Sequence, residues 1–177
     1  GYPMDSWSDE VPFPDPKPYG TYQRTPGAPK TNSGFMEFGP IPNNREKELA
    51  DTMRAQWAVD QLGKKWDNPF FLAVGLYAPH FPNYCPQKYF DLFDEDAIIL
   101  PKVSKDDLED LPSAGVRIAK PEGDHAKVTK HDQWKKAVHG YLASVAFADE
   151  QVGRVLKALR KSPQAKDTIV VLWTDHG

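Results

Sequence analysis

Pro69-Phe70-Phe71-Leu72-Ala73-Val74-Gly75-Leu76-Tyr77-Ala78-Pro79-His80 is the stretch that decides the fold. From Phe70 to Tyr77 it is apolar almost throughout, short, and bounded by proline on both sides. Such a run, rich in aromatic and branched residues, predicts a strand buried on both faces, as parallel sheets require. Thr168-Ile169-Val170-Val171-Leu172-Trp173 repeats the pattern and runs into Thr174-Asp175-His176-Gly177. A helical pattern precedes each strand. Leu49, Met53, Trp57 and Leu62 recur at helical spacing between Arg45 and Leu62, with Asn43 or Asn44 placed to cap the start and Gly63 the end. From about Asp132, Val138, Tyr141, Leu142, Val145, Val152, Val155, Leu156 and Leu159 form one apolar stripe that Pro163 terminates. Helix, strand, helix, strand is the α/β pattern, and the two strands are expected to be parallel. Ligands gather beyond the carboxyl ends of such strands. If the two share a sheet, His80, Asp175 and His176 face one rim.

Composition narrows the possibilities. Of 177 residues, 40% are hydrophobic and 27% charged, which argues against a wholly disordered chain. Lys and Arg total 22 against 25 Asp and Glu, so no lopsided basic charge points to nucleic acid. The longest mostly apolar run, Phe70 to Pro79, is about half the ~20 residues of a membrane span. No basic-then-apolar leader opens the chain. A single cysteine, Cys85, excludes an internal disulfide framework and a Cys-based zinc cluster. Nine of the 17 prolines fall before Asn43, among aromatic residues from Tyr2 to Phe38. Residues 1–42 are therefore expected to be irregular chain anchored by its rings, with the α/β portion over 43–177. Lys88 to Phe93 is expected to make one short helical turn and Asp94 to Lys102 an extended connection.

The segments Pro69–Gly75, Ala78-Pro79-His80-Phe81-Pro82, Tyr141-Leu142-Ala143-Ser144-Val145, Asp149–Arg154 and Thr168–Gly177 together carry a resemblance. In order and spacing they are similar to the sulfatases of the alkaline-phosphatase superfamily, nearest in pattern to the iduronate-2-sulfatase and choline-sulfatase group. The resemblance covers roughly Ile41 to Gly177. It implies an alkaline-phosphatase-like fold, a mainly parallel sheet flanked by helices, of which this chain is an internal part. It further implies hydrolysis of sulfate monoesters by a formylglycine made from cysteine or serine, helped by a divalent cation. That cation is calcium in the family, with magnesium, manganese or zinc as alternatives. The formylglycine motif, Cys/Ser-x-Pro/Ala-x-Arg, is expected upstream of Gly1. Cys85 is followed by Pro86-Gln87-Lys88-Tyr89, which does not fit that motif, and it is not read as the nucleophile. The chain alone is expected to be inactive. Sulfatases of this kind are commonly exported to periplasm, lysosome or outside.

Residue by residue, the resemblance matches Asp175 and His176 to a metal-ligand pair. A carboxylate at a strand end suits a hard cation, whereas histidine alone would suggest zinc or manganese. His80 matches a histidine that contacts the sulfate and helps protonate the leaving oxygen, work suited to a group titrating near neutrality. Where the family often carries lysine two positions earlier, this chain has Ala78. Lys88 and Arg117 are candidates to line the approach of an anionic substrate, a sulfated carbohydrate or small sulfate ester. The spacings of His125, His131 and His139 do not suit two ligands on one helical face, so these are read as structural or solvated. Asp149 and Arg154 are read as a helix-surface ion network. Two other readings stay open: a phosphodiesterase or phosphonate hydrolase of the same superfamily, and a catalytically dead binding module.

Overall fold

The apolar stripe that begins near Asp132 falls in the longest helix among the described residues, and the other described elements are arranged around it. The computed structural model describes residues 37–174. In chain order these form strand β1 (Phe38–Ile41), a 3-10 turn (Asn43–Glu48), helix α1 (Ala50–Leu62), strand β2 (Asn83–Pro86) and the single-turn helix α2 (Gln87–Phe90). Short helices α3 (Ser113–Ala119) and α4 (Asp124–Lys130) follow, then α5 (Trp134–Lys161).

β1 and β2 pair in parallel, with Phe38 opposite Asn83 and Ile41 opposite Pro86. Parallel pairing is thus present, but between strands the pattern did not predict. Both are four residues long and contain proline. The carbonyl of Glu37 accepts from the Asn83 amide at 2.7 Å. Alternation from that bond puts Gly39 and Ile41 toward the partner and Pro40 away from it, where a missing N–H does no harm. β1 lies inside the stretch expected to be irregular; residues 1–36 of that stretch lie outside the described residues.

α5 packs on both strands and also on α1, α2 and α4. Its buried residues are Ala137, Gly140, Ala143, Ser144, Phe147 and Gln151, a different face from the predicted stripe. Tyr141 and Val145, members of that stripe, are exposed. Where the helix crosses the strand pair the approach is so close that small side chains such as Gly140 and Ala143 are selected. Ala143 and Phe147 join Ile41, Leu49, Tyr84, Cys85, Tyr89 and Phe90 in the main core. Phe38, Val128 and Ala137 form a second cluster. α1 forms over Ala50–Leu62, but the expected stretch from Arg45 begins instead as the 3-10 turn with Leu49 extended between them, and the Oδ1 of Asn43 accepts from the Lys88 amide at 2.9 Å, at the start of α2.

The two runs expected to be doubly buried strands join no ladder among the described residues. Along 70–77 the side chains alternate, Phe70, Leu72, Val74 and Leu76 half-buried, Phe71 and Tyr77 exposed. At 169–173 the exposures reach 91% for Ile169 and 81% for Leu172. An apolar strand is covered only when neighbours flank it, and the described residues supply cover to one side at most.

Two outcomes follow from this packing. The polypeptide 1–177 produced alone should self-associate through the bare faces at 70–77 and 169–173, giving oligomers in sedimentation velocity. A methyl group at Gly140 would stand 2.9 Å from Phe38 Cβ and 3.6 Å from Asn83 Cβ. The overpacking cost of about 1–3 kcal/mol exceeds the helix gain of about 1 kcal/mol. Gly140→Ala should therefore lower the denaturant midpoint of the full-length protein.

Candidate functional site

His80 stands just beyond the carboxyl end of the apolar run 70–77, in a loop tied at several points. Its backbone N–H donates to Tyr77 O at 3.0 Å, and its ring lies 4.6 Å from the Tyr77 ring. The Tyr77 hydroxyl donates to Phe81 O at 3.3 Å, and Asn83 Nδ2 donates to Pro79 O at 2.8 Å. The Ala78–Pro79 and Phe81–Pro82 peptides are cis. His80 Nδ1 lies 2.5 Å from Phe81 O. A carbonyl only accepts, so in this contact Nδ1 carries the hydrogen.

Behind the loop lies a carboxylate that sequence patterning missed. Asp51, the second residue of α1, is 4% exposed. Its oxygens accept from the Tyr77 amide at 3.0 and 2.9 Å and from the Ala78 amide at 2.8 Å. Arg54 Nη1 pairs with it at 2.5 Å. A cavity of about 20 Å³, room for one water, lies between Asp51, Ala78, His80, Tyr84 and Ser144. The signal for Asp51 was an acidic residue on the buried side of a helix, between Leu49 and Ala55. Only the fold shows what it holds.

The other candidates are dispersed. Asp175 and His176 lie outside the described residues, which end at Thr174. Among the described residues no cluster of three or more His, Cys, Asp or Glu is placed to hold a metal ion. Lys88 Nζ lies 2.8 Å from Glu46 and 3.4 Å from Glu150, and Tyr89 Oη donates to the same carboxylates at 2.6 and 2.9 Å. Burial opposes the charge on Lys88, but the carboxylates outweigh it and hold its pKa above the ordinary lysine value. Burial, reinforced by the two carboxylates, also pushes the Tyr89 hydroxyl up. Arg117 is exposed on α3. His139 is structural: Nε2 is 3.0 Å from Phe90 O, and the ring sits edge-on to Phe90. Arg154 binds neutral groups, Gln151 Oε1 at 2.7 Å and Gln56 Oε1 at 2.6 Å. The expected ion network at this position is instead an amide bridge between α5 and α1.

Residues 4–177 match the family profile described as Sulfatase. The chain belongs to the sulfatase family. A sulfatase of Formosa agariphila is 38% identical over 175 residues, covering 94% of this chain and 33% of that protein. Human iduronate 2-sulfatase is 31% identical over 75% of this chain and 26% of its own length. Choline-sulfatase of Rhizobium meliloti is 25% identical over 83% of this chain and 29% of its own. The chain thus spans about a quarter to a third of these relatives. Its short parallel sheet and packed helices fit part of the sulfatase α/β fold. None of the described helices is long and apolar enough to cross a membrane.

In this sulfatase chain Cys85 sits at the centre of β2, fully buried. Burial pushes its thiol up to about 12, with a hydrogen bond from Ser144 opposing and the charge of Glu46 adding to the rise. A nucleophilic or modifiable thiol needs the opposite environment. The protonated folded thiol stabilises the fold fully below its unfolded pKa of about 8.5. That contribution is lost as pH rises toward about 12. Iodoacetamide at pH 8 should leave Cys85 unlabelled in the folded full-length protein and alkylate it after denaturation, and Cys85→Ala should flatten the alkaline fall in melting temperature.

Proposed function

We propose that the protein carrying this chain hydrolyses sulfate monoesters, with residues 43–177 supplying an α/β part of its catalytic domain. The supporting observation is a Sulfatase match over residues 4–177 that includes the constrained Pro79-His80 loop. The substrate class in our reading is a sulfated carbohydrate or a small sulfate ester. When present, the formylglycine supplies the nucleophile at sulfur, and the divalent cation, calcium in our reading, neutralises charge on the sulfuryl oxygens.

What this chain contributes is proton and charge. Protonated His80 donates a hydrogen bond from Nε2 to the ester. As the S–O bond breaks, the proton passes to the departing alkoxide oxygen, which leaves as the alcohol. The contact of Nδ1–H with Phe81 O fixes the plane of the ring. Asp175 and His176, following the apolar run 168–173, are the residues we assign to the cation. Lys88 would have to leave Glu46 and Glu150 to meet an anion, so the reading rests on His80 rather than on it.

In the full-length protein, His80→Ala should lower kcat for sulfate ester hydrolysis by about 10²–10⁴-fold, the usual scale of a general acid. Asp175→Ala should abolish calcium binding in titration calorimetry. Undiminished turnover by His80→Ala would overturn the assignment. Faster cleavage of a phosphodiester than of any sulfate ester would move the protein to phosphodiester chemistry.

A further inference from the structure

We infer that Asp51 is the positioning residue of the His80 loop, holding the main chain of Tyr77 and Ala78 so that the imidazole is presented at a fixed point. The inference rests on the role proposed for His80 and adds a residue 29 positions earlier in the chain.

A half-buried N–H must find an acceptor, and the apolar run 70–77 joins no ladder among the described residues. The amides of Tyr77 and Ala78 instead converge on one carboxylate at 2.8–3.0 Å. Two successive residues of an extended strand point their N–H groups to opposite sides. One group collecting both fixes a bend, and that bend begins the His80 loop. Asp51 lies in the first turn of α1, where a carboxylate is favoured by the helix dipole. Yet α1 has no side-chain cap hydrogen bond, and these acceptors go to main chain 26 and 27 residues away.

A bland alternative is a buried ion pair kept for packing. Burying a carboxylate is costly unless its oxygens are satisfied, and Arg54 alone would satisfy one of them. The second oxygen is committed wholly to Tyr77 and Ala78. From there the constraint passes directly to the imidazole. Tyr77 O receives the His80 amide, and the Tyr77 ring lies against the His80 ring. Asparagine at position 51 would keep one acceptor oxygen and turn an NH₂ group toward a main-chain donor. Glutamate would keep the charge but displace it by one methylene.

The test uses the full-length enzyme and a sulfated monosaccharide or other alkyl sulfate ester that the wild type turns over, because an alkoxide leaving group needs the proton. Asp51→Asn should lower kcat about 10²-fold, the scale of a misplaced reacting group, while KM changes less. In a His80→Ala background the same substitution should lower kcat no further, because a positioning residue has nothing left to position. Hydrogen exchange of the peptide carrying Tyr77 and Ala78 should quicken. If Asp51→Asn does not fold, Asp51→Glu is put through the same cycle. Losses that multiply in the double variant, or a fall in kcat with unchanged exchange at 77–78, would overturn the inference. So would an unchanged kcat in a protein that His80→Ala disables. A fully active His80→Ala would instead sink the role of His80 itself.

Discussion

The close approach of α5 to the β1–β2 pair is the constraint on which the described structure depends. Gly140 lets the helix axis come down onto Phe38 and Asn83, and Ala137, Ala143 and Ser144 extend that flat contact. Once the helix is seated, Phe147 is pressed against Tyr89, edge-on at 5.5 Å, and the core with Ile41, Leu49 and Tyr84 closes around it. α1 is then drawn against α5, with Arg154 reaching the amide of Gln56 and the carbonyl of Thr52. This docking brings Asp51 beside the end of the apolar run at 70–77.

The placement of the His80 loop is therefore a product of helix docking rather than of a complete sheet. An isolated segment has no intrinsic reason to stop at a fixed place, since its orientation comes from its hydrogen-bond partners. Asp51 provides such a partner at the carboxyl end, Asn83 ties Pro79 O from the following strand, and Asn83 is in turn paired with β1. The loop is held between a helix and a ladder. Its anchors are mostly main-chain atoms, which do not titrate and which tolerate side-chain change.

What the sequence makes legible is what depends on period. The helices over 50–62 and 134–161 follow from apolar spacing; the apolar runs at 70–77 and 168–173 stand out by composition, but neither is a doubly buried strand among the described residues. His80 is marked by its place after such a run. β1 and β2 are invisible to the same reasoning, because four residues such as Asn83-Tyr84-Cys85-Pro86 have neither alternation nor a pure apolar run. The buried face of α5 is misjudged for a related reason: hydropathy ranks Tyr141 and Val145 above Gly140 and Ser144, whereas close packing on the strand pair ranks these positions by volume. Asp51 could not be read as an anchor, because the donors it satisfies are backbone groups, which every sequence possesses.

Two positions before His80, where the resemblance leads one to expect lysine, this chain has Ala78. Were the loop held by the side chain at 78, that exchange would have displaced the histidine. It is the amide of Ala78 that Asp51 binds, and an amide is the same whichever side chain follows it. The side chain at 78 is thereby released from a structural duty and can be exchanged to alter the charge met by the substrate, with the imidazole left in place. Lys88 cannot stand in for the missing cation without surrendering Glu46 and Glu150, and the loss of either contact would leave Tyr89, buried against Phe147, with an unbalanced acidic pair. Under the proposed reading, charge recognition in this protein falls more heavily on His80 and on the cation at Asp175 and His176 than it does where the lysine is kept.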